Sequence, residues 1–291
     1  MIDPDALPLP APLEYAVPAG ACDAHTHVFA APEDFAPVQP AAYPLPVAPI
    51  SRHRQVAQQL GIDRAVLVQP AAYGANHSVM LQALHAYPAT LRGVALCDRD
   101  ATDGALDHLH DAGIRALRFV EMRVPGSSQR YPGSIDVAAL EHLAPRMAQR
   151  GWHAEIWADV STNAAIVRRF SRCGVPLVLD HLAGATIAED PDSEDFRTIL
   201  DALETGVAWA KLSICRVGHR RTEYPLARPF HDALVAANPD RVVWGSDFPF
   251  LRKGEEAPDC GWLLNTFRDW VGDDARVRRI LVDNSATLYS F

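Results

Sequence analysis

Four polar residues have the types and the spacing needed for chemistry on a small molecule. His25 and His27 stand one residue apart in the stretch ACDAHTHVF, His181 ends the stretch LVLDH, and Asp247 ends the stretch VVWGSD. Side chains along a strand alternate between its two faces, so both imidazoles of the first stretch are predicted to lie on the same side, with Thr26 on the other. Neutral imidazole binds zinc or manganese, whereas an imidazole N–H can stabilise an oxyanion.

The elements that must position these residues are eight short apolar runs separated by longer amphipathic segments. The runs span residues 21–28, 62–69, 91–98, 114–121, 152–157, 175–181, 207–213 and 241–247. Strands that alternate with helices indicate βαβ units and parallel pairing, and eight such units predict a (β/α)₈ TIM barrel with some distortion. The alternative, a doubly wound open sheet, is disfavoured because no glycine-rich turn follows the first run. The C-terminal strand ends of a barrel meet at one mouth, where the four polar residues are predicted to converge.

Two proline-rich segments precede the regular pattern. Residues 1–20 contain five prolines and no basic residue, which predicts an extended N-terminal arm. Residues 21–291 are predicted to form a single barrel domain. A second proline-rich segment, residues 31–50, directly follows the two histidines and is interpreted as a functional loop.

The charge balance limits the possible partners. The formal net charge of −9 disfavours binding to nucleic acid or to an anionic membrane surface, so a small molecule is the expected partner. No long apolar run is present and the first basic residue is Arg52, so we expect neither a spanning helix nor a signal peptide, and a cytoplasmic location. The five cysteines are widely spread and are interpreted as reduced thiols. A homo-oligomer is compatible with the sequence.

Several motifs resemble those of a known family. DAHTH at 23–27, LDH at 179–181, WGSDFP at 244–249 and NSATLYSF at 284–291 are similar to the amidohydrolase superfamily, in its amidohydrolase-related branch (family 2). QPAAYGANH at 69–77 and KLS at 211–213 resemble the lactonases of the 2-pyrone-4,6-dicarboxylate hydrolase type. The resemblance implies that Asp247 is the general base that activates water and later returns the proton to the leaving oxygen. The alternative for this residue is a helix N-cap before FPFLRKG.

The same resemblance leaves two roles open for the histidines. Either His25, His27 and His181 polarise a lactone carbonyl without a metal, in which case no cofactor is obligatory, or they hold one divalent ion, zinc or manganese, together with Asp247. A binuclear site is disfavoured because the fourth run ends in RFVEM, without the lysine that binuclear members use as a bridge. The fifth run ends in Trp157, where those members carry another histidine. Glu121 remains a possible further ligand.

Arginines near the predicted mouth suggest an anionic substrate. Arg123 and Arg130 lie in the loop after the fourth run, and Arg216 follows the seventh. Guanidinium groups grip carboxylates in a bidentate manner, and the resemblance places substrate-binding arginines in these loops. The further residues predicted to contact the substrate are Tyr43, Tyr73, Asn76, His77 and Trp157.

These observations predict a hydrolase that opens the ring of a carboxylated lactone. The alternatives are a zinc-dependent decarboxylase of a small aromatic or unsaturated acid, and a sugar-acid lactonase. A binding protein without catalysis is disfavoured because none of the four polar residues is missing.

Lys211 and His153 are predicted to be structural. Solvent exposure is expected for the histidines on predicted helices and outer loops, namely His53, His85, His108, His110, His142, His219 and His231.

Overall fold

Eight parallel strands form the centre of the molecule, for which a computed structural model describes residues 7–37 and 41–291. The strands follow one another around the sheet in chain order, each paired in parallel with the next. They are β1 Cys22–Thr26, β2 Arg64–Val68, β3 Leu91–Ala95, β4 Ile114–Val120, β5 His153–Trp157, β6 Leu177–Leu179, β7 Ala208–Lys211 and β8 Val242–Val243. Each strand lies inside its predicted run, so the predicted TIM barrel is confirmed.

Helices connect successive strands and cover the outside of the barrel. They are α1 Ile50–Leu60, α2 Ser78–Ala86, α3 Asp103–Asp111, α4 Leu140–Gln149, α5 Val160–Phe170, α6 Asp180–Ala183, α7 Glu194–Glu204, α8 Arg228–Ala237, α9 Cys260–Val271, α10 Asp274–Arg278 and α11 Asn284–Tyr289. Their apolar faces pack on the outward-facing residues of the strands in one large core cluster.

The barrel closes between β8 and β1 through backbone hydrogen bonds just beyond β8. The amide of Asp247 donates to the carbonyl of His25 at 2.8 Å, and the amide of His27 donates to the carbonyl of Phe248 at 2.8 Å. Closure of the barrel therefore places Asp247 directly beside the two histidines of β1.

The inside of the barrel is divided into an apolar part and a charged part. Small and branched side chains fill the apolar part, among them Ala24, Val66, Val94 and Val178. Further along the strands towards their C-terminal ends, charged side chains point inward and are fully or almost fully buried. Buried charges must be paired, so this charged layer is built from ion pairs.

Residues 11–15 of the proline-rich arm lie along α9. Asp259 accepts hydrogen bonds from the amide of Ala11, and Tyr15 donates to Asp269 at 2.8 Å. Residues 1–6 of the predicted arm and residues 38–40 of the second proline-rich segment lie outside the described residues. Within the described part, no helix is long and apolar enough to cross a membrane.

Two of the histidines that were expected to be exposed are buried. His53 on α1 packs against the ring of Phe248, and His231 on α8 packs against Trp270. Both face the barrel side of their helix, where helix packing excludes water, so the expectation of solvation was wrong for these two residues.

Candidate active site

The four residues predicted to meet at the barrel mouth lie together. Nε2 of His27 is 3.3 Å from Oδ1 of Asp247, and Nε2 of His25 is 3.7 Å from the same oxygen. The ring of His181 lies 4.7 Å from that of His25, measured between centroids. All four side chains are buried. Three imidazoles and one carboxylate therefore share a site with little access to bulk water.

Local backbone geometry directs these side chains inward. The pairing of β1 with β2 changes register between Asp23 and Thr26, and irregularities of this kind turn side chains towards a site. Thr26 points away and donates its hydroxyl to the carbonyl of Val66 at 3.2 Å. Asp247 has a φ of 66°, in the left-handed region that non-glycine residues seldom adopt. Its carboxylate faces the imidazoles and does not cap a helix, which removes the N-cap alternative.

His181 owes its position to a left-handed turn at the end of β6. His181, Leu182 and Ala183 have φ values of 50°, 52° and 56°. Gly184 ends the turn with a φ of 81°, and a Cβ at this position would lie 2.0 Å from the carbonyl oxygen of Ala158. The turn therefore requires glycine. Nδ1 of His181 is buried and has no hydrogen-bond partner among residues 7–37 and 41–291.

Arg216 contacts the carboxylate of Asp247 on the side away from the histidines. Nε of Arg216 donates to Oδ2 of Asp247 at 2.5 Å, and Nη1 donates to the carbonyl of Leu251 at 2.8 Å. Burial alone would raise the pKa of Asp247, but the positive charge of Arg216, together with the neighbouring imidazoles, holds this pKa well below its ordinary value. Asp247 is thus a carboxylate at neutral pH, with Oδ1 left for other partners.

A layer of buried ion pairs lies beneath the histidines. Nζ of Lys211 is 2.6 Å from Glu155 and 3.4 Å from Asp180, and Arg118 reaches the other oxygen of Asp180 at 3.3 Å. Burial opposes ionisation, but Lys211 lowers the pKa of Glu155 to about 2 and, with Arg118, lowers that of Asp180. Asp180 in turn lies 3.3 Å from Nδ1 of His25. These contacts agree with the prediction that Lys211 is structural. Through Asp180, Lys211 also supports the orientation of the His25 ring.

Both ring nitrogens of His27 face hydrogen-bond acceptors. Nδ1 lies 2.7 Å from the carbonyl oxygen of Val68, so it carries a proton. Nε2 faces the carboxylate of Asp247 at 3.3 Å. His27 therefore presents Nε2, and not Nδ1, to the carboxylate of Asp247.

The donor atoms are compatible with one divalent ion. The ligand atoms of His25, His27 and Asp247 lie within 4.8 Å of one another, and those of His25, Asp180 and His181 form a second such group. Zinc with bonds of about 2.0–2.1 Å places tetrahedral ligand atoms roughly 3.3 Å apart, close to the separations seen here. The carbonyl of Val68 behind His27 is the kind of partner that orients a metal-binding imidazole. His181 belongs to the second group and not to the first.

Aromatic rings form one wall of the pocket above the histidines. Tyr131 and Trp157 stack at 5.3 Å with an angle of 24° between their planes, and Tyr43 packs edge-on against Tyr131. Arg252 lies over these rings and donates to the hydroxyl of Tyr131 at 2.6 Å. The predicted pocket positions of Tyr43 and Trp157 match this wall.

Two of the three predicted arginines are not in the pocket. Arg123 is exposed, and Arg130 pairs with Glu121 at 3.1 Å and with Asp136 at 3.7 Å. Glu121 also accepts from the amide of Val137, so both of its oxygens are already engaged. Arg216 does line the pocket, although Asp247 occupies its Nε.

Three other residues predicted to contact the substrate lie outside the lining of the pocket around the histidines. The hydroxyl of Tyr73 accepts from the amide of Ala30, Nε2 of His77 lies 2.7 Å from the carbonyl oxygen of Leu96, and Asn76 accepts from Ser78. These side chains organise the loop after β2 and do not line the pocket around the histidines. A direct role for them in binding stays a prediction without geometric support.

Sequence reasoning did not assign a role in the site to Arg118, Asp180, Tyr131 or Arg252. Arg118 could have been found from the sequence, because a charged residue in the apolar run IRALRFVE indicates a paired charge inside the barrel. Asp180 was part of the quoted LDH motif. The other two lie on loops whose course follows from no periodic pattern.

Comparisons with known proteins agree with this architecture. The family model described as Amidohydrolase matches residues 22–291. The 2-pyrone-4,6-dicarboxylate hydrolase of Comamonas testosteroni is 29% identical and the alignment covers 96% of this chain and 93% of that protein. The 4-sulfomuconolactone hydrolase of Rhizobium radiobacter is also 29% identical, with the same coverage. A crystal structure of a putative 2-pyrone-4,6-dicarboxylic acid hydrolase from Pseudomonas putida has a TM-score of 0.81 at 25% identity, covering 94% of this chain and 98% of that one.

Proposed function

Since the chain belongs to the amidohydrolase family, we propose that it opens the ring of an anionic lactone by adding water to the ring carbonyl. One observation carries this proposal, namely the ionised carboxylate of Asp247 facing the Nε2 atoms of His25 and His27 at the floor of a buried pocket. Relatives named for the hydrolysis of a pyrone dicarboxylate and of a sulfomuconolactone support the substrate class.

Asp247 acts as general base on the attacking water. Oδ2 is held by Arg216, so the water is placed at Oδ1, where the carboxylate takes one of its protons as the oxygen attacks the carbonyl carbon. The bond between the carbonyl carbon and the ring oxygen then breaks, and Asp247 returns the proton to that oxygen. The products are a carboxylate and a hydroxyl or enol on one open chain.

The imidazoles stabilise the charge that develops on the carbonyl oxygen. Burial lowers the pKa values of His25 and His181, so both rings are neutral and each offers one N–H donor or one lone pair. A hydrogen bond from a buried donor to an oxyanion is strong because no water competes with it. A divalent ion held by His25, His27 and Asp247 supplies Lewis-acid polarisation of the same carbonyl when bound.

The aromatic wall favours a flat, unsaturated ring over a puckered sugar ring. Tyr131 and Trp157 present a stacked pair beside the histidines, with Tyr43 at its edge. Stacking on such a surface stabilises planar rings in particular. We therefore place pyrone and muconolactone acids ahead of sugar-acid lactones.

A panel of lactones tests the proposal directly. Purified protein is assayed by proton release against pyrone carboxylates, muconolactone acids, aldaric lactones and neutral lactones, with carbon dioxide measured in parallel. We expect hydrolysis of the flat anionic lactones without carbon dioxide release. Decarboxylation of an unsaturated acid, or hydrolysis confined to neutral lactones, would contradict the proposal.

A further inference from the structure

We propose that Arg252 binds a carboxylate of the substrate remote from the reacting carbonyl and thereby selects planar dianionic substrates. The inference deepens the proposed function and rests on it for the identity of the reaction. The residue lies in the loop after β8, which neither the motifs nor the family resemblance assigned to substrate binding.

The surroundings of Arg252 leave its charge without a carboxylate partner. Its guanidinium carbon lies 5.5 Å from the ring centre of Tyr131, 5.7 Å from that of Tyr43 and 5.8 Å from that of Trp157. Nη1 of Arg252 donates to the hydroxyl of Tyr131 at 2.6 Å. Among the residues that the structure describes, no acidic side chain forms an ion pair with it. Aromatic faces hold a cation in place without neutralising it, so the guanidinium remains available to an anion.

The other two arginines of the pocket are already paired. Arg118 contacts Asp180 at 3.3 Å, and Arg216 contacts Asp247 at 2.5 Å. A substrate carboxylate that bound either of them would share the guanidinium with a buried protein carboxylate. Arg252 requires no such sharing.

The ion pairs of the site lead to the same conclusion. Three carboxylates at the barrel mouth, Asp247, Asp180 and Glu155, form ion pairs with three cations, Arg216, Arg118 and Lys211. None of these carboxylates contacts Arg252. An anionic substrate therefore supplies Arg252 with a partner on binding.

The backbone holds Arg252 at the boundary between the pocket and the outside. Its φ is 66°, in the left-handed region, and the turn is closed by a hydrogen bond from the amide of Lys253 to the carbonyl of Phe250 at 3.1 Å. The residue lines both the inner pocket and an adjoining cavity of about 800 Å³ beneath the N-terminal arm. Arg252 therefore lies between the inner pocket, which contains Asp247, and the outer cavity.

Binding of benzene-1,3-dicarboxylate tests this assignment without requiring turnover. This compound is flat, carries two carboxylates and cannot be hydrolysed, and its diamide has the same shape without charge. Affinities for both are measured by calorimetry in wild-type protein, Arg252→Gln, Arg252→Lys and Arg172→Gln. The last variant removes an exposed arginine outside the pocket and serves as the matched control.

We expect Arg252→Gln to weaken binding of the dicarboxylate by about tenfold or more, with a smaller loss in Arg252→Lys and none in Arg172→Gln. The salt dependence of dicarboxylate binding should also become shallower in Arg252→Gln. Absence of dicarboxylate binding to the wild-type protein, unchanged affinity in Arg252→Gln, or an equal loss in Arg172→Gln would overturn the inference.

The controls separate a folding defect and a failure of the proposed function from a failure of this inference. A folding defect in Arg252→Gln would lower both the thermal midpoint and the affinity for the diamide. In that case the affinity of Arg252→Lys for the dicarboxylate decides the outcome, because lysine keeps the positive charge. If no lactone is hydrolysed but dicarboxylate binding depends on Arg252, the proposed reaction is wrong and the anion site stands. If lactones are hydrolysed and Arg252→Gln leaves their KM unchanged, the reaction stands and the anion site is wrong.

Discussion

Arg216 donates its Nε–H to Oδ2 of Asp247 at 2.5 Å, in the interior of the barrel mouth. The arginine predicted to grip the substrate therefore holds the carboxylate that we propose as the general base. This contact keeps Asp247 ionised and directs its other oxygen towards His25 and His27. The electrostatic state of the base thus depends on a residue 31 positions earlier in the chain.

Replacement of Arg216 by Gln should raise the pH at which activity is lost on the acid side. Asp247 works as a base only when ionised, and its pKa is held well below the ordinary value mainly by Arg216. Without the guanidinium this pKa rises, so the acid limb of the profile of kcat against pH moves to higher pH. Arg216→Lys keeps the charge and should move the limb less. An unshifted limb in Arg216→Gln would show that another group sets the protonation of Asp247.

Asp247→Asn should reduce turnover by roughly 10²–10⁴-fold, the range typical of a lost general base. Affinity for benzene-1,3-dicarboxylate should be retained or rise, because the amide keeps the shape of the carboxylate and leaves Arg216 without its anionic partner. Steady-state kinetics on the best lactone of the panel measure the loss. Asp190→Asn, which alters an exposed aspartate, is the control. A near wild-type rate in Asp247→Asn would remove this residue from the mechanism.

Hydrolysis should persist after exhaustive chelation. Asp247 and His25 already have cationic partners in Arg216 and Lys211, so the site requires no dication to balance the charge of Asp247. Activity and metal content are measured together before and after dialysis against a chelator. Loss of activity that added zinc restores would show instead that the three ligand atoms hold a required ion.

Lys211→Met should destabilise the fold by about 3–5 kcal/mol, because it leaves buried carboxylates without their cation. Glu155 and Asp180 both contact Nζ of Lys211, and all three side chains are fully buried. The double variant Glu155→Leu with Lys211→Met removes one charge of each sign and should lose less stability than the single variant. Urea unfolding at neutral pH measures both. A single variant as stable as the wild type would mean that the ion pair does not support the barrel.

Stability should fall as the pH decreases from about 6.5 towards 4, partly because of His53. Burial lowers the pKa of His53 to about 4, below its value in the unfolded chain, so the unfolded state binds the proton first. The contribution of neutral His53 to the free energy of unfolding is fully present above pH 6.5. It decreases by roughly 2 kcal/mol by pH 5. Urea unfolding measures the free energy of unfolding at pH 7.5 and at pH 5. The difference between these two values should be smaller in His53→Phe than in the wild type. His85→Asn, which changes an exposed histidine, should leave the difference unchanged.

Periodicity in the sequence was sufficient to predict the barrel and the centre of its site. Side chains alternate along a strand, and strand ends meet at one mouth, so the convergence of His25, His27, His181 and Asp247 followed from local patterns and from the family resemblance together. The same patterns correctly excluded an open sheet.

The pairing of charges was decided only by the tertiary structure. Arg130 and Arg216 look alike as loop residues, but one is neutralised by Glu121 and Asp136 and the other holds Asp247. A left-handed turn brings Arg252 over the aromatic wall, a position that no spacing in the sequence indicates. The physical reason is that the direction of the side chains along a strand repeats every two residues. The partner of a charged loop residue depends instead on which distant segments pack beside it.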